Sequence, residues 1–104
     1  MRVIVDIKVR QTLYDFYEKA IAQHPTLDEV VVHAKIDRLL NAMNKLGDFP
    51  EKYPLAKYNH LWKKKHYRDF VFENIHIAYK VVKLDTGEKV VYVADAEHSL
   101  LHHN

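Results

Sequence analysis

Lys57 to Val82, KYNHLWKKKHYRDFVFENIHIAYKVV, decides the fold. The stretch opens as a basic, aromatic-laced segment and closes as two alternating apolar runs that meet at Glu73-Asn74, the pattern of a β-hairpin. Phe70 and Phe72 fall on one phase before that turn, and Ile75, Ile77, Tyr79 and Val81 continue the buried set after it. Val91 and Val93 resume the set beyond Asp85-Thr86-Gly87, so a third strand completes a meander.

A one-sided meander needs apolar cover, and the preceding chain supplies it. Val32, Ile36, Leu39, Met43 and Leu46 step by four, three, four and three, which predicts a long helix with one apolar stripe. Thr26 and Glu29 read as its capping box and Gly47 as its stop. Leu13, Phe16, Tyr17, Ala20, Ile21 and His24 predict another helix over roughly residues 11 to 23, with Thr12 and Asp15 as a capping pair and Pro25 ending it. Ahead of it Val3, Val5, Ile7 and Val9 alternate like a strand. Residues 47 to 61 hold Gly47, Pro50 and Pro54 and predict a loop with at most one turn of structure. The expected architecture is one α+β domain over residues 1–104, ordered β-α-α-β-β-β. A two-helix hairpin packs on one face of a mostly antiparallel four-stranded sheet.

Composition narrows the function classes. The net charge of +2 is too small to make the whole molecule a polyanion binder. The local cluster differs: Lys57, Lys63, Lys64, Lys65 and Arg68 fall in a window without Asp or Glu, interleaved with Tyr58, His60, Trp62, His66 and Tyr67. There is no Cys and no apolar run of membrane-spanning length, so a cytoplasmic setting and no membrane partner are expected. Neither His102-His103 nor His60 and His66 comes with a carboxylate or Cys at ligand spacing, and no nucleotide-binding fingerprint occurs. No metal and no cofactor are expected.

With that order and its motifs, the sequence resembles the RelE/ParE superfamily of toxins from bacterial toxin–antitoxin pairs. The resemblance rests on the short first strand, the break at Leu46, Gly47 and Pro50, the run Ile75, Ile77, Tyr79, and a last strand ending in a polar motif at His98. His76 stands where many members carry Arg. The resemblance implies a RelE/ParE-like fold and a toxin neutralised by a cognate antitoxin protein. Its activity would be that of an mRNA interferase, an endoribonuclease cleaving RNA with or without the ribosome. The alternatives are a non-nuclease inhibitor of DNA gyrase, or a member acting only through protein interactions.

The loop lengths give a register in which site residues can be placed. A two-residue turn at Glu73-Asn74 sets His76 opposite Val71, Ala78 opposite Asp69 and Lys80 opposite Tyr67. A three-residue loop at Asp85–Gly87 sets Lys80 opposite Tyr92, Ala78 opposite Ala94 and His76 opposite Ala96, with His98 diagonal to His76. One face then gathers Lys65, Tyr67, Asp69, His76, Lys80, Tyr92 and His98 around a shallow groove floored by Ala78, Ala94 and Ala96. Metal-independent cleavage by attack of a 2′-hydroxyl needs a base, an acid and cations for the phosphate. His98 and His76 are the candidates for proton transfer, Lys80 and Lys65 for charge stabilisation. Lys63, Lys64, Arg68, Tyr67 and Tyr92 are the candidates for RNA binding, although Arg68 falls on the apolar face in this register.

Overall fold

The computed structural model describes residues 1–23 and 28–98. Strands β1 (Val3–Val5), β2 (Arg68–Phe72), β3 (Ile75–Lys83) and β4 (Lys89–His98) form one sheet in the order β1-β4-β3-β2. The meander is antiparallel throughout, and β1 adds to the free edge of β4 in parallel, so the sheet is mixed. Helices α1 (Ile7–Gln23) and α2 (Glu29–Asn44) lie on one face, with a 3-10 turn at Lys45–Gly47 closing the second. The class is α+β, as the patterning requires. Thr26, Pro25 and His24 at the first helical link, and His102-His103 at the end, fall outside the described residues.

The core is the junction of the stripes. Val9 and Leu13 from α1, Leu39 and Met43 from α2, and Leu46 meet Phe70, Ile77, Tyr79, Val91 and Val93 of the sheet. Tyr79 is fully buried, and its hydroxyl donates to the Pro50 carbonyl at 2.8 Å, which ties the loop to the core and satisfies the buried polar tip. Burial pushes this phenol above its ordinary range. Gly47 is required where it stands, because a Cβ there would sit 2.0 Å from the Met1 carbonyl oxygen.

The first strand is shorter than its alternation suggests, and the first helix starts earlier. Asp6 ends the strand: its side chain accepts from the Lys8 N–H at 2.8 Å and its carbonyl accepts from the Val9 N–H at 3.0 Å, the two functions of an N-cap. Val9 is then fully buried as the first member of the stripe Val9, Leu13, Phe16, whereas Ile7 is 70% exposed. Thr12 caps nothing; its hydroxyl donates to the Lys8 carbonyl one turn back. Asp28, one residue before Glu29, caps α2 by accepting from the Val30 N–H.

A third helix, α3 (His60–Lys64), occupies chain expected to be loop and then strand. Asn59 caps it by accepting from the Trp62 N–H at 3.1 Å, and β2 begins only at Arg68. This helix lies on the sheet face opposite α1 and α2. Trp62, with no exposed surface, packs there on Ala56 and Ala78 with Tyr67 at its flank.

Candidate functional site

The hairpin register places half of the expected site as anticipated. Val71 pairs with His76, Asp69 with Ala78, and Lys80 with Tyr92. Lys80 also meets Tyr67, its Nζ lying 5.3 Å from the ring centroid, and donates to the Lys65 carbonyl at 3.4 Å. Tyr67, Lys80 and Tyr92 therefore share the face turned away from the long helices, with the Lys65 backbone beside them. Lys65 is the C-terminal cap of α3 and Tyr67 lies in the link that follows, neither of them on β2.

The other half is corrected by a bulge. Tyr79 pairs with Val93 but Ala78 pairs with Asp95, so Ala94 is an extra residue in β4 and every later side chain changes face. His76 is opposite Glu97, not Ala96, and Ala78 is opposite Asp95, not Ala94. His98 pairs with Ile75 on the helix face, where its ring meets the edge of Phe16 at 6.1 Å between centroids. Its neighbours Phe16 and Ile75 help line a recess of about 140 Å³ between α1, α2 and the β2–β3 turn, together with Leu13 and Ile36. The two histidines stand on opposite faces of the sheet.

The expected groove is filled. Trp62 sits on Ala78, its indole N–H donates to Asp95 at 3.0 Å, and the Asn59 amide donates to Glu97 at 2.8 Å. The His76 Nδ1 lies 3.0 Å from both carboxylate oxygens of Asp69, and both side chains are nearly enclosed, at 14% and 11% exposure. Asp69, Asp95 and Glu97 thus line the floor with carboxylates, and a phosphate meeting them would be repelled. Arg68 is on the helix side of the edge, as the register gave, and its guanidinium donates to the Tyr53 carbonyl at 2.8 Å. Tyr92 is engaged too: its hydroxyl donates to Asp6, which lowers the Asp6 carboxyl and raises the Tyr92 phenol from their ordinary ranges.

The unabsorbed charge is on the outside of α3. Lys57, Lys63, Lys64 and Lys65 are exposed, and none is in an ion pair with a described carboxylate, so a positive ridge runs over the helix that plugs the face. Sequence reasoning missed Asn59, Asp95 and Glu97, which clamp that helix. Two signals were present: an Asn three residues before Trp62, as in an N-cap, and a change of phase in β4 from Val91 and Val93 to Ala94 and Ala96. Among the described residues no group of three or more His, Asp or Glu side chains could hold a metal ion, and no helix is long and apolar enough to cross a membrane.

No family model, curated protein or solved structure matches this chain.

Proposed function

We propose that the chain is a growth-inhibiting toxin of the RelE/ParE type, neutralised by a cognate antitoxin protein, and that it acts by binding rather than by cleaving RNA. The class is supported by the resemblance stated above, with which the element order and the helix hairpin on one face of a four-stranded sheet agree. The observation that carries the mode of action is the placement of His76 and His98 on opposite faces, with Trp62 and three carboxylates where a scissile phosphate would sit. In-line attack needs its base, acid and cations around one phosphorus. Within the family the non-cleaving branch is the inhibitor of DNA gyrase. The basic ridge on α3 is the surface offered to the target complex.

One observation favours the mRNA interferase reading: a carboxylate fixes the His76 imidazole through Nδ1, as in catalytic His–Asp pairs, with Lys80 on the same face. Induced expression, with and without the neighbouring small gene, tests the class; arrest relieved by that gene is expected, and harmless expression at good yield defeats it. Purified chain is then added to a gyrase supercoiling reaction and, separately, to a translated message followed by primer extension. Blocked supercoiling with intact message is expected. Cleaved message that survives His98→Ala but not His76→Ala moves the protein to the interferase branch.

A further inference from the structure

The last turn of α3 is built with a residue its backbone disfavours. Lys65 is the cap, the His66 N–H donates to the Lys63 carbonyl at 3.1 Å, and the Tyr67 N–H donates to the Trp62 carbonyl at 3.0 Å. This two-bond closure puts the residue after the cap in the left-handed region, a position that glycine or asparagine fills most easily. Here it is His66 at φ 61°. A β-carbon at that angle crowds the backbone, a local cost that glycine would not carry. Lys63 and Lys64 in the last turn suit the negative end of the helix, whereas Lys57 lies before the helix and owes nothing to it.

The His66 side chain lines a recess of about 450 Å³ with Leu55, Ala56, Lys57, Lys63 and Tyr67. Its far wall is fixed, since Leu55 bridges to Arg68, the Ala56 N–H donates to the Tyr67 carbonyl and the Asp69 N–H donates to the Pro54 carbonyl, both at 2.9 Å. Among the described residues no carboxylate lines it, and neither Lys57 nor Lys63 has a described carboxylate partner. Two exposed ammonium groups and an imidazole around an apolar floor with one aromatic ring match a phosphate joined to a flat, weakly polar group. The volume is that of a small-ligand pocket.

The geometry points to a phosphate subsite at the C-terminal end of α3, in which Lys57, Lys63 and His66 hold the phosphate of a nucleotide or of a single-stranded polynucleotide and Tyr67 packs on the attached group. The site takes two lysines of the ridge offered to the target and adds His66 and Tyr67, and it stands whether or not the chain arrests growth.

Fluorescence anisotropy of a labelled, 5′-phosphorylated short oligouridylate on the full chain tests it. Lys57→Ala and Lys63→Ala should each weaken binding about tenfold, and each should flatten the salt dependence by about 0.7 in slope. His66→Gly is the decisive variant: it should weaken binding while leaving the melting temperature unchanged or higher, because glycine suits that backbone. His66→Asn, also tolerant of the left-handed region, repeats the test should glycine loosen the turn. Displacement of the strand by millimolar inorganic phosphate assigns the recess to a lone phosphate group. A strand that resists phosphate but is released by the two lysine variants assigns it to a chain of phosphates. Undiminished binding by His66→Gly and Lys63→Ala, or an equal loss on Lys19→Ala in α1, overturns the proposal.

Discussion

The two faces of the sheet are both buried, but by different means. The face under α1 and α2 is covered by two long stripes of Val, Leu and Met against Phe, Ile and Val, so its stability comes from area and tolerates small errors of placement. The opposite face is covered by five residues of helix around a single Trp62, held by directed hydrogen bonds to Asp95 and Glu97. Directed bonds work only in one register. The first face is therefore specified by composition and period, the second by a single extra residue, Ala94, that aims the two carboxylates.

Deleting Ala94 is the severest way to break this arrangement. Without it, either Asp95 and Glu97 turn onto the face occupied by Ile77 and Phe16, or the buried valines before them turn out. An unpaired carboxylate in an apolar core costs several kcal/mol, of the order of the whole stability of about 5–15 kcal/mol for such a domain. Loss of the cooperative thermal transition is expected by circular dichroism. A variant that still melts cooperatively would mean that something other than the bulge sets the phase of β4.

Truncating one anchor on each face comes next. Trp62→Ala and Ile77→Ala both remove side chains with no exposed surface, and should cost about 3–5 and 2–5 kcal/mol in urea denaturation. Similar losses would establish the α3 face as a second core. A Trp62→Ala loss near zero would reduce α3 to a surface attachment. The two histidines then sharpen the same contrast. His76→Ala deprives the nearly enclosed Asp69 of a partner and should cost about 1–3 kcal/mol. His98→Ala gives up an edge contact with Phe16 worth about 0.5–1.5 kcal/mol, and growth arrest by this variant should equal that of the parent.

Legibility in the sequence follows the same division. The α2 stripe, the hairpin turn and the pairing of Lys80 with Tyr92 were readable because each is over-determined by several residues of one period. The reach of β1 is ambiguous because Val9 fits both periods, and Asp6, a cap two residues before the Lys8 N–H, decides for the helix. Simple alternation puts His98 on the wrong face, although the change from odd to even apolar positions at Ala94 is visible in the chain. Alternation from the loop inward carries no signal of its own when one residue is inserted. The Trp62 plug was harder to see, since a basic aromatic segment has the same composition whether it lines a groove or fills one.

The smallest effect lies at the sheet's edge, where Tyr92 reaches across from the polar face to the cap of α1. The Asp6 carboxyl is held below its ordinary range chiefly by the Tyr92 hydroxyl and next by the Lys8 N–H, against a smaller cost of desolvation. A carboxyl lowered in the folded chain stabilises the fold above its unfolded pKa of about 3.9, and that contribution is lost as pH falls through the folded value. The same bond raises the Tyr92 phenol, whose contribution is present below about pH 10 and lost as pH rises through its folded value. Tyr92→Phe keeps the ring and removes the bond. It should lower stability at neutral pH by about 0.5–1 kcal/mol, in the range of a single partly screened hydrogen bond. The difference from the parent should shrink below pH 4 and again above pH 10. Asp6→Ala should lose more at neutral pH, because about 1 kcal/mol of helix capping goes with it. Urea midpoints across the pH range are the measurement, and a Tyr92→Phe deficit that stays constant into acid would assign the loss to packing of the ring and remove the link between the α3 face and the start of α1.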